Sequence, residues 1–299
     1  MNGRAFKDRV LRILSYATGI FGVRHAIRYC VRRNLVPKSV WSRLPVAGTF
    51  TVDVAALRRF KYSSTAHDFV GRSLFWKGIE GYEPETTAAF TRLAESARVV
   101  IDIGANTGLY SLLACAISSD VRVLAFEPVP RIMDRLRRQV DVNGWANRCE
   151  LVSAAVSDRD GTVDFHVPLG GLPHSASLNP TGFGDAPGQL VKVAVVALDT
   201  FCDDSLSVDL IKIDVEGFEA DALRGMADLL ADHHPALIFE VLDDTRNEQI
   251  ESMLYDLGYQ LFHLGEYGAR GVQRIVADQR FRNFAAVARS NQRERLGLG

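Results

Sequence analysis

The stretch Val99-Val100-Ile101-Asp102-Ile103-Gly104-Ala105-Asn106-Thr107-Gly108 constrains this chain more than any other. A short apolar run ending in glycine reads as a buried parallel strand. Glycines at 104 and 108 let the backbone turn sharply and let a ligand approach closely. Leu109 to Ile117 follows as a short apolar helix, whose N-terminus offers N–H groups to an anion. A strand, a glycine turn and a helix in this order form a nucleotide-type junction of an open α/β sheet.

The flanking sequence continues the alternation. Val121 to Phe126 is the next strand. Pro130 opens a helix with Ile132, Leu136 and Val140 at i, i+4 and i+8, and Gly144 stands at its C-terminal cap. Glu150-Leu151-Val152 is a third strand, and the β-α-β-α-β order argues for a doubly wound sheet. The rhythm breaks after Ser153. Thr162 to Val167 and Val191 to Leu198 alternate like strands, and residues 168–190 between them are rich in glycine and proline. We read the pair as a hairpin insertion and its long loop as a lid over a substrate. The rhythm resumes with the strand Leu210 to Asp214 and a helix with Phe218, Ala222, Met226 and Leu230 on one face. Ala236 to Val241 is a strand. Thr245 and Glu248 form a capping-box pair for a helix that buries Ile250, Met253, Leu254 and Leu257. Tyr259 to Leu264 and Phe284 to Ala288 complete the strands. The expected fold is α/β and Rossmann-like: a mostly parallel seven-stranded sheet with helices on both faces, a β-hairpin insertion before the fourth strand, and a helical N-terminal appendage.

Charge is segregated. The whole chain has net charge −1, which gives no field that points to nucleic acid. Residues 1–50, however, hold ten Lys or Arg residues against Asp8 alone. A helical cap whose apolar side packs on the main domain is the favoured reading, and a basic helix in peripheral contact with an anionic membrane is the alternative. Thr18, Gly19 and Gly22 interrupt the apolar stretch there, against a secretory signal. No run of about 20 apolar residues exists, so no membrane span is expected. Cys30, Cys115, Cys149 and Cys202 show no C-x-x-C spacing; they read as small core residues in a reducing, cytoplasmic compartment. The expected organisation is a basic helical region over 1–75, the main domain over 76–290 with the insertion at 158–200, and a tail over 291–299.

Three features carry chemistry. Asp102, at the strand end, can hold the glycine loop or accept from a ligand's ammonium group. Glu127, directly after the second strand, can accept from both hydroxyls of a ribose. The pattern G-x-N-x-G lacks the middle glycine that admits a pyrophosphate, so it suits a cofactor without one and disfavours an NAD-dependent oxidoreductase. The third feature is Lys212-Ile213-Asp214-Val215-Glu216-Gly217-Phe218-Glu219. Asp214 ends a buried strand, and with Glu216 it should point into the crevice beside the first strand. Glu219 reads better as a helix N-terminal acid.

These segments resemble the FkbM family of methyltransferases: D-I-G-A-N-T-G-L-Y-S-L, the E-P of Glu127-Pro128, A-V-S-D at 155–158, L-D-T-F at 198–201, K-I-D-V-E-G-F-E at 212–219 and Y-E-P-E at 82–85. The match covers roughly residues 80–262. It implies the class I methyltransferase fold, S-adenosyl-L-methionine as donor, and a hydroxyl on a sugar, glycan or secondary metabolite as acceptor. It implies cofactor contacts from Glu83, Asp102, Gly104, Asn106, Thr107, Gly108, Glu127, Pro128 and Ser157. Ala154 and Ala155 occupy the place where many such enzymes read adenine, so backbone atoms, Ser157 or Asp158 would serve.

Methyl transfer from a sulfonium is an in-line displacement, helped mainly by alignment and secondarily by a base. Asp214 is the first candidate for base or acceptor orienter, with Glu216 beside it and His174, in the long loop, as the rival. Glu240 and His263 end later strands and are candidates for the acceptor side. Asp214 and Glu240 would suit Mg²⁺, but no third ligand is evident, so no metal is expected. The competing readings are the NAD-dependent oxidoreductase, N-methylation of a small molecule, and a non-catalytic binding module.

Overall fold

The computed structural model describes residues 21–55, 58–168, 188–203, 205–242, 246–276 and 280–297. The chain divides into two compact units, Met1–Pro84 and Glu85–Gly299.

The first unit contains α1 (Phe21–Arg32), α2 (Lys38–Trp41), an antiparallel hairpin of β1 (Gly48–Ala55) and β2 (Arg58–Ser64), and α3 (Phe69–Lys77). The hairpin falls in a region expected to be helical. Its alternating burial, with Val52, Phe60 and Tyr62 inward, was too short a signal beside the arginines to be read as strand. The apolar side of α1 packs Val31 among Trp41, Leu44, Val46, Phe75 and Trp76. The Trp76 indole N–H donates to Leu44 O at 3.2 Å, which satisfies its buried polar atom. Asp68 caps α3 by accepting from Gly71 N at 2.8 Å. α1 thus fills the core of its own unit; residues 1–20 lie outside the described residues.

The second unit begins with α4 (Pro84–Ala94) and is built on β3 (Val99–Ile103), α5 (Leu109–Ile117), β4 (Arg122–Phe126), α6 (Pro130–Asn143) and β5 (Cys149–Val152). β6 (Ala154–Val156), β7 (Gly161–Pro168) and β8 (Gly188–Val196) form a separate three-stranded sheet, followed by α7 (Leu198–Phe201). Then come β9 (Leu210–Ile213), α8 (Glu219–Arg224), α9 (Ala227–His233), β10 (Ala236–Glu240), α10 (Asn247–Asp256), β11 (Gln260–Gly265), β12 (Gly268–Val272), β13 (Asn283–Val287) and α11 (Ser290–Arg295). The main sheet runs β12-β11-β13-β10-β9-β3-β4-β5. β5, β4, β3, β9 and β10 are parallel, and β13 is antiparallel to both β10 and β11. The chain goes outward from β3 to β5 on one side and returns to β9 on the other. This places the topological switch point at the C-terminal ends of β3 and β9, where open α/β sheets bind ligands.

Two expectations are corrected. The sheet has eight strands rather than seven, because β12 turns back on β11 as an antiparallel edge. Its short, polar, glycine-containing sequence has little alternation to reveal it. The helix expected through Phe218 and Leu230 is two helices, broken at Gly225-Met226. A Cβ at position 225 would overlap the Ser157 carbonyl oxygen. Asp199 then accepts from the N–H groups of Asp228 (3.2 Å) and Leu229 (3.0 Å), capping the second helix from a distant segment. Thr245 lies outside the described residues. No described helix is long and apolar enough to cross a membrane. Cys115 and Cys149 are buried, Cys30 and Cys202 half-buried, and all four are free.

Candidate functional site

The site grows from the glycine turn after β3. Gly104 has φ +74°, and a Cβ there would overlap the Asp214 carbonyl oxygen, so only glycine fits. The N–H groups of Gly104 and Ala105 both donate to Phe126 O, at 3.0 and 2.9 Å, which ties the turn to the end of β4. Asn106 takes the left-handed conformation at φ +49°, one that asparagine tolerates. Gly108, at φ +88°, lets the chain pass against Leu136 and opens α5. Thr107 is buried within the turn.

Asp102 is buried, and its Oδ2 accepts from both Ser111 N (2.9 Å) and Ser111 Oγ (2.6 Å). These bonds clamp the first turn of α5 to the strand it follows. Burial pushes its carboxyl up to about 6, against the pull of Ser111 and of the Lys212 charge.

Glu127 is also buried. Its Oε2 accepts from Asn106 N at 3.0 Å and its Oε1 from Val129 N at 2.9 Å. Burial raises it to about 7 despite these bonds, and the charges of Asp102 and Asp214 push the same way. A carboxylate has about four acceptor positions, so two remain after the backbone is satisfied. These residues therefore suit a ligand that presents two hydroxyl donors. Pro128 follows, half-buried, before α6.

The third wall is the turn after β9. Asp214 N donates to Ile103 O at 3.0 Å, which sets this turn directly beside the glycine loop. Glu216 has φ +53° and Gly217 φ +96°. Arg246 holds the turn by donating to Gly217 O, pairing with Asp221 at 2.7 Å and lying over the Phe218 ring at 5.1 Å. Glu216 is raised to about 7 by burial and by the charges of Asp214 and Glu219. Glu219, the first residue of α8, accepts from Gly217 N at 3.1 Å and is raised to about 7, chiefly by burial. That is the structural duty expected of it.

The strand ends thus bring Asp102, Glu127, Asp214 and Glu216 together with the glycine loop. Ser157 directly follows β6: its N–H donates to Val196 O at 2.9 Å and its carbonyl packs on Gly225. Glu83 is the penultimate residue of the first unit, at φ +41°. His174 lies outside the described residues. Glu240 ends β10 opposite Asn283. His263 sits inside β11 rather than at its end, with Nε2 2.9 Å from Phe281 O and its ring against Phe284. Among the described residues, no group of three or more His, Cys, Asp or Glu side chains is arranged to hold a metal ion.

Lys212 has no role legible in the sequence pattern. It is 0% exposed in the centre of the sheet, paired in register with Asp102. Its Nζ donates to Ile213 O at 3.2 Å, lies 3.6 Å from Asp214 Oδ2 and sits over the Tyr110 ring at 5.2 Å. A buried cation among so many carboxyl groups offsets part of their mutual repulsion.

The family profile described as "Methyltransferase FkbM domain" matches residues 102–261. The chain is 30% identical over 141 residues to the 2-O-methyltransferase NoeI of Sinorhizobium fredii, covering 42% of this chain and 56% of that protein. It is 26% identical over 196 residues to the methyltransferase sdnD of Sordaria araneosa, covering 54% and 73%. It is 27% identical over 139 residues to the hexuronic acid methyltransferase AglP of Haloferax volcanii, covering 46% and 53%. The chain thus spans only about half the length of two of these three relatives. The matched segment opens on Asp102, closes within β11 and encloses the glycine loop, Glu127 and the Asp214 turn; on that match this chain belongs to the FkbM methyltransferase family.

Proposed function

We propose that this protein transfers the methyl group of S-adenosyl-L-methionine to a hydroxyl oxygen of a sugar, glycan or secondary metabolite. The observation that supports it best is the Glu127 carboxylate, braced by two backbone N–H groups beside the glycine loop, with β3 between it and Asp214. In this reading the loop from Gly104 to Gly108, with Asn106 and Thr107, and the start of α5 receive the methionine end of the donor. Glu127, with Pro128, receives the ribose. Asp102 holds the loop, and Ser157 or nearby backbone reads the base. The bound donor supplies an electrophilic methyl group on a sulfonium. The converging carboxyl groups favour that positive charge.

Asp214 is the candidate to orient the acceptor hydroxyl and take its proton, with Glu216 at its side. Alignment supplies most of the acceleration and the base a smaller part. The names of two relatives, a 2-O-methyltransferase and a hexuronic acid methyltransferase, support a carbohydrate hydroxyl as acceptor. The test is incubation with labelled S-adenosylmethionine and a panel of methyl glycosides and hexuronosides. Label recovered as an alkali-stable methyl ether supports the proposal. Binding of NAD without binding of S-adenosylmethionine overturns it, and label on nitrogen revises the acceptor.

A further inference from the structure

We infer that the first unit carries a docking surface for an anionic lipid bilayer, held by charge rather than by insertion of an apolar face. The starting observation is the separation of charge between the units. Residues 1–84 contain 15 Lys or Arg against 5 Asp or Glu, a net charge of +10; residues 85–299 contain 20 against 31, a net charge of −11. The near-zero charge of the whole chain conceals two opposed halves.

The cations of the first unit are placed for contact. Residues 21–43 contain no Asp or Glu at all. Arg24 and Arg28 turn inward and lie over the Phe75 ring at 4.1 and 4.8 Å. Arg32, Arg33, Lys38 and Arg43 are exposed, and none forms an ion pair among the described residues. Two apolar side chains stand among them: Tyr29 is 60% exposed, with the Arg33 guanidinium over its ring at 5.1 Å, and Leu35 is 69% exposed. Arginine, tyrosine and an exposed aliphatic side chain suit a headgroup layer, where the charge meets lipid phosphate and the ring and Leu35 reach the acyl boundary. A nucleic acid backbone would leave Leu35 without a partner.

The mode follows from what α1 has already buried. Val31 and Ile27 pack in the core of the first unit, which leaves α1, among its described side chains, only Val23, Ala26 and Tyr29 as exposed apolar or aromatic ones, too little apolar area for deep insertion. Attraction then rests on the cations, each worth on the order of fivefold in partitioning near an anionic surface and lost beyond a Debye length. The second unit, at net −11, is repelled by the same surface, so the affinity belongs to the first unit.

The experiment is co-sedimentation of the full chain with vesicles of phosphatidylcholine containing 30 mol% phosphatidylglycerol. The expected result is binding at about 0.05 M salt, release at about 0.5 M, and no binding to pure phosphatidylcholine. Arg32→Glu with Arg33→Glu should lower the partition coefficient at least tenfold while the unfolding temperature and S-adenosylmethionine affinity stay as in the wild type. Should that pair not fold, Lys38→Glu with Arg43→Glu serves the same purpose. Equal binding to neutral vesicles, absence of binding to anionic ones, or indifference to charge reversal overturns the inference. So does binding of a short RNA duplex at about 0.15 M salt more tightly than binding of the anionic vesicles at equal phosphate concentration. Because donor binding is measured separately, failure here leaves the proposed methyl transfer standing.

Discussion

S-adenosylmethionine should bind this protein more tightly as pH rises from 6 to 8, through the ionisation of Glu127. Its carboxyl is raised from the ordinary 4.5 to about 7, because burial outweighs the two backbone bonds from Val129 and Asn106. Protonation would turn one ribose acceptor into a donor and remove a charge that favours the cationic ligand. If the ligand selects the ionised form, affinity drops about tenfold between pH 8 and pH 6, or about 1.4 kcal/mol. Calorimetry at pH 6.5 in two buffers of unequal ionisation heat should detect release of roughly three quarters of a proton. Glu127→Gln has the shape of the protonated acid but sets an amide N–H against one of the two backbone donors. It should flatten the pH profile and cost about 2–3 kcal/mol of affinity at pH 8. In the ligand-free protein the sign reverses. The folded state keeps a proton that the unfolded chain releases above about 4.5, so this group's contribution to stability falls as pH rises towards 7. An affinity independent of pH, or the same slope in Glu127→Gln, would remove Glu127 from the ribose contact.

Three further outcomes test the rest of the site. Asp214→Asn should lower turnover on whichever panel acceptor is methylated by about 10²–10⁴, with donor affinity little changed; affinity falling in parallel would instead assign Asp214 to the donor's ammonium group. Lys212→Met should cost about 3 kcal/mol in denaturant unfolding, the lower end of the range for breaking a buried pair, because the Asp214 side chain keeps 27% of its exposure. A loss below about 1 kcal/mol would show that the pair is not a structural necessity. Gly104→Ala combines a left-handed backbone with overlap on the Asp214 carbonyl, and should destabilise the fold by about 2–5 kcal/mol; an unchanged melt and unchanged donor affinity would contradict the packing described.

The core of the site was legible because its determinants are local. The glycine loop, Glu127 and Asp214 each follow directly from a strand, so the sequence order alone put them at one sheet edge. What stayed hidden depends on partners far along the chain. Lys212 in a strand reads as an exposed charge until Asp102, Asp214 and Tyr110 are brought around it. The break at Gly225 answers to the Ser157 carbonyl. The L-D-T-F segment gave a family resemblance but no mechanism. In the structure Asp199 caps a helix some thirty positions later. Asp160 accepts from Ala197 N and Thr200 Oγ1, closing the small sheet onto α7. Ser157, expected near adenine, has backbone duties at the same junction.

The close approach of Gly104 to the Asp214 carbonyl also bears on how such an enzyme can change over evolutionary time. The donor loop and the turn after β9 share a backbone hydrogen bond and a van der Waals surface with no room for a methyl group. A substitution that reshapes residues 214–217 to admit a new acceptor would shift the donor loop with it. On the proposed assignment, donor recognition and proton handling are coupled through this one contact. A lineage that keeps its methyl donor while moving to new acceptors has to vary in segments that do not touch this contact.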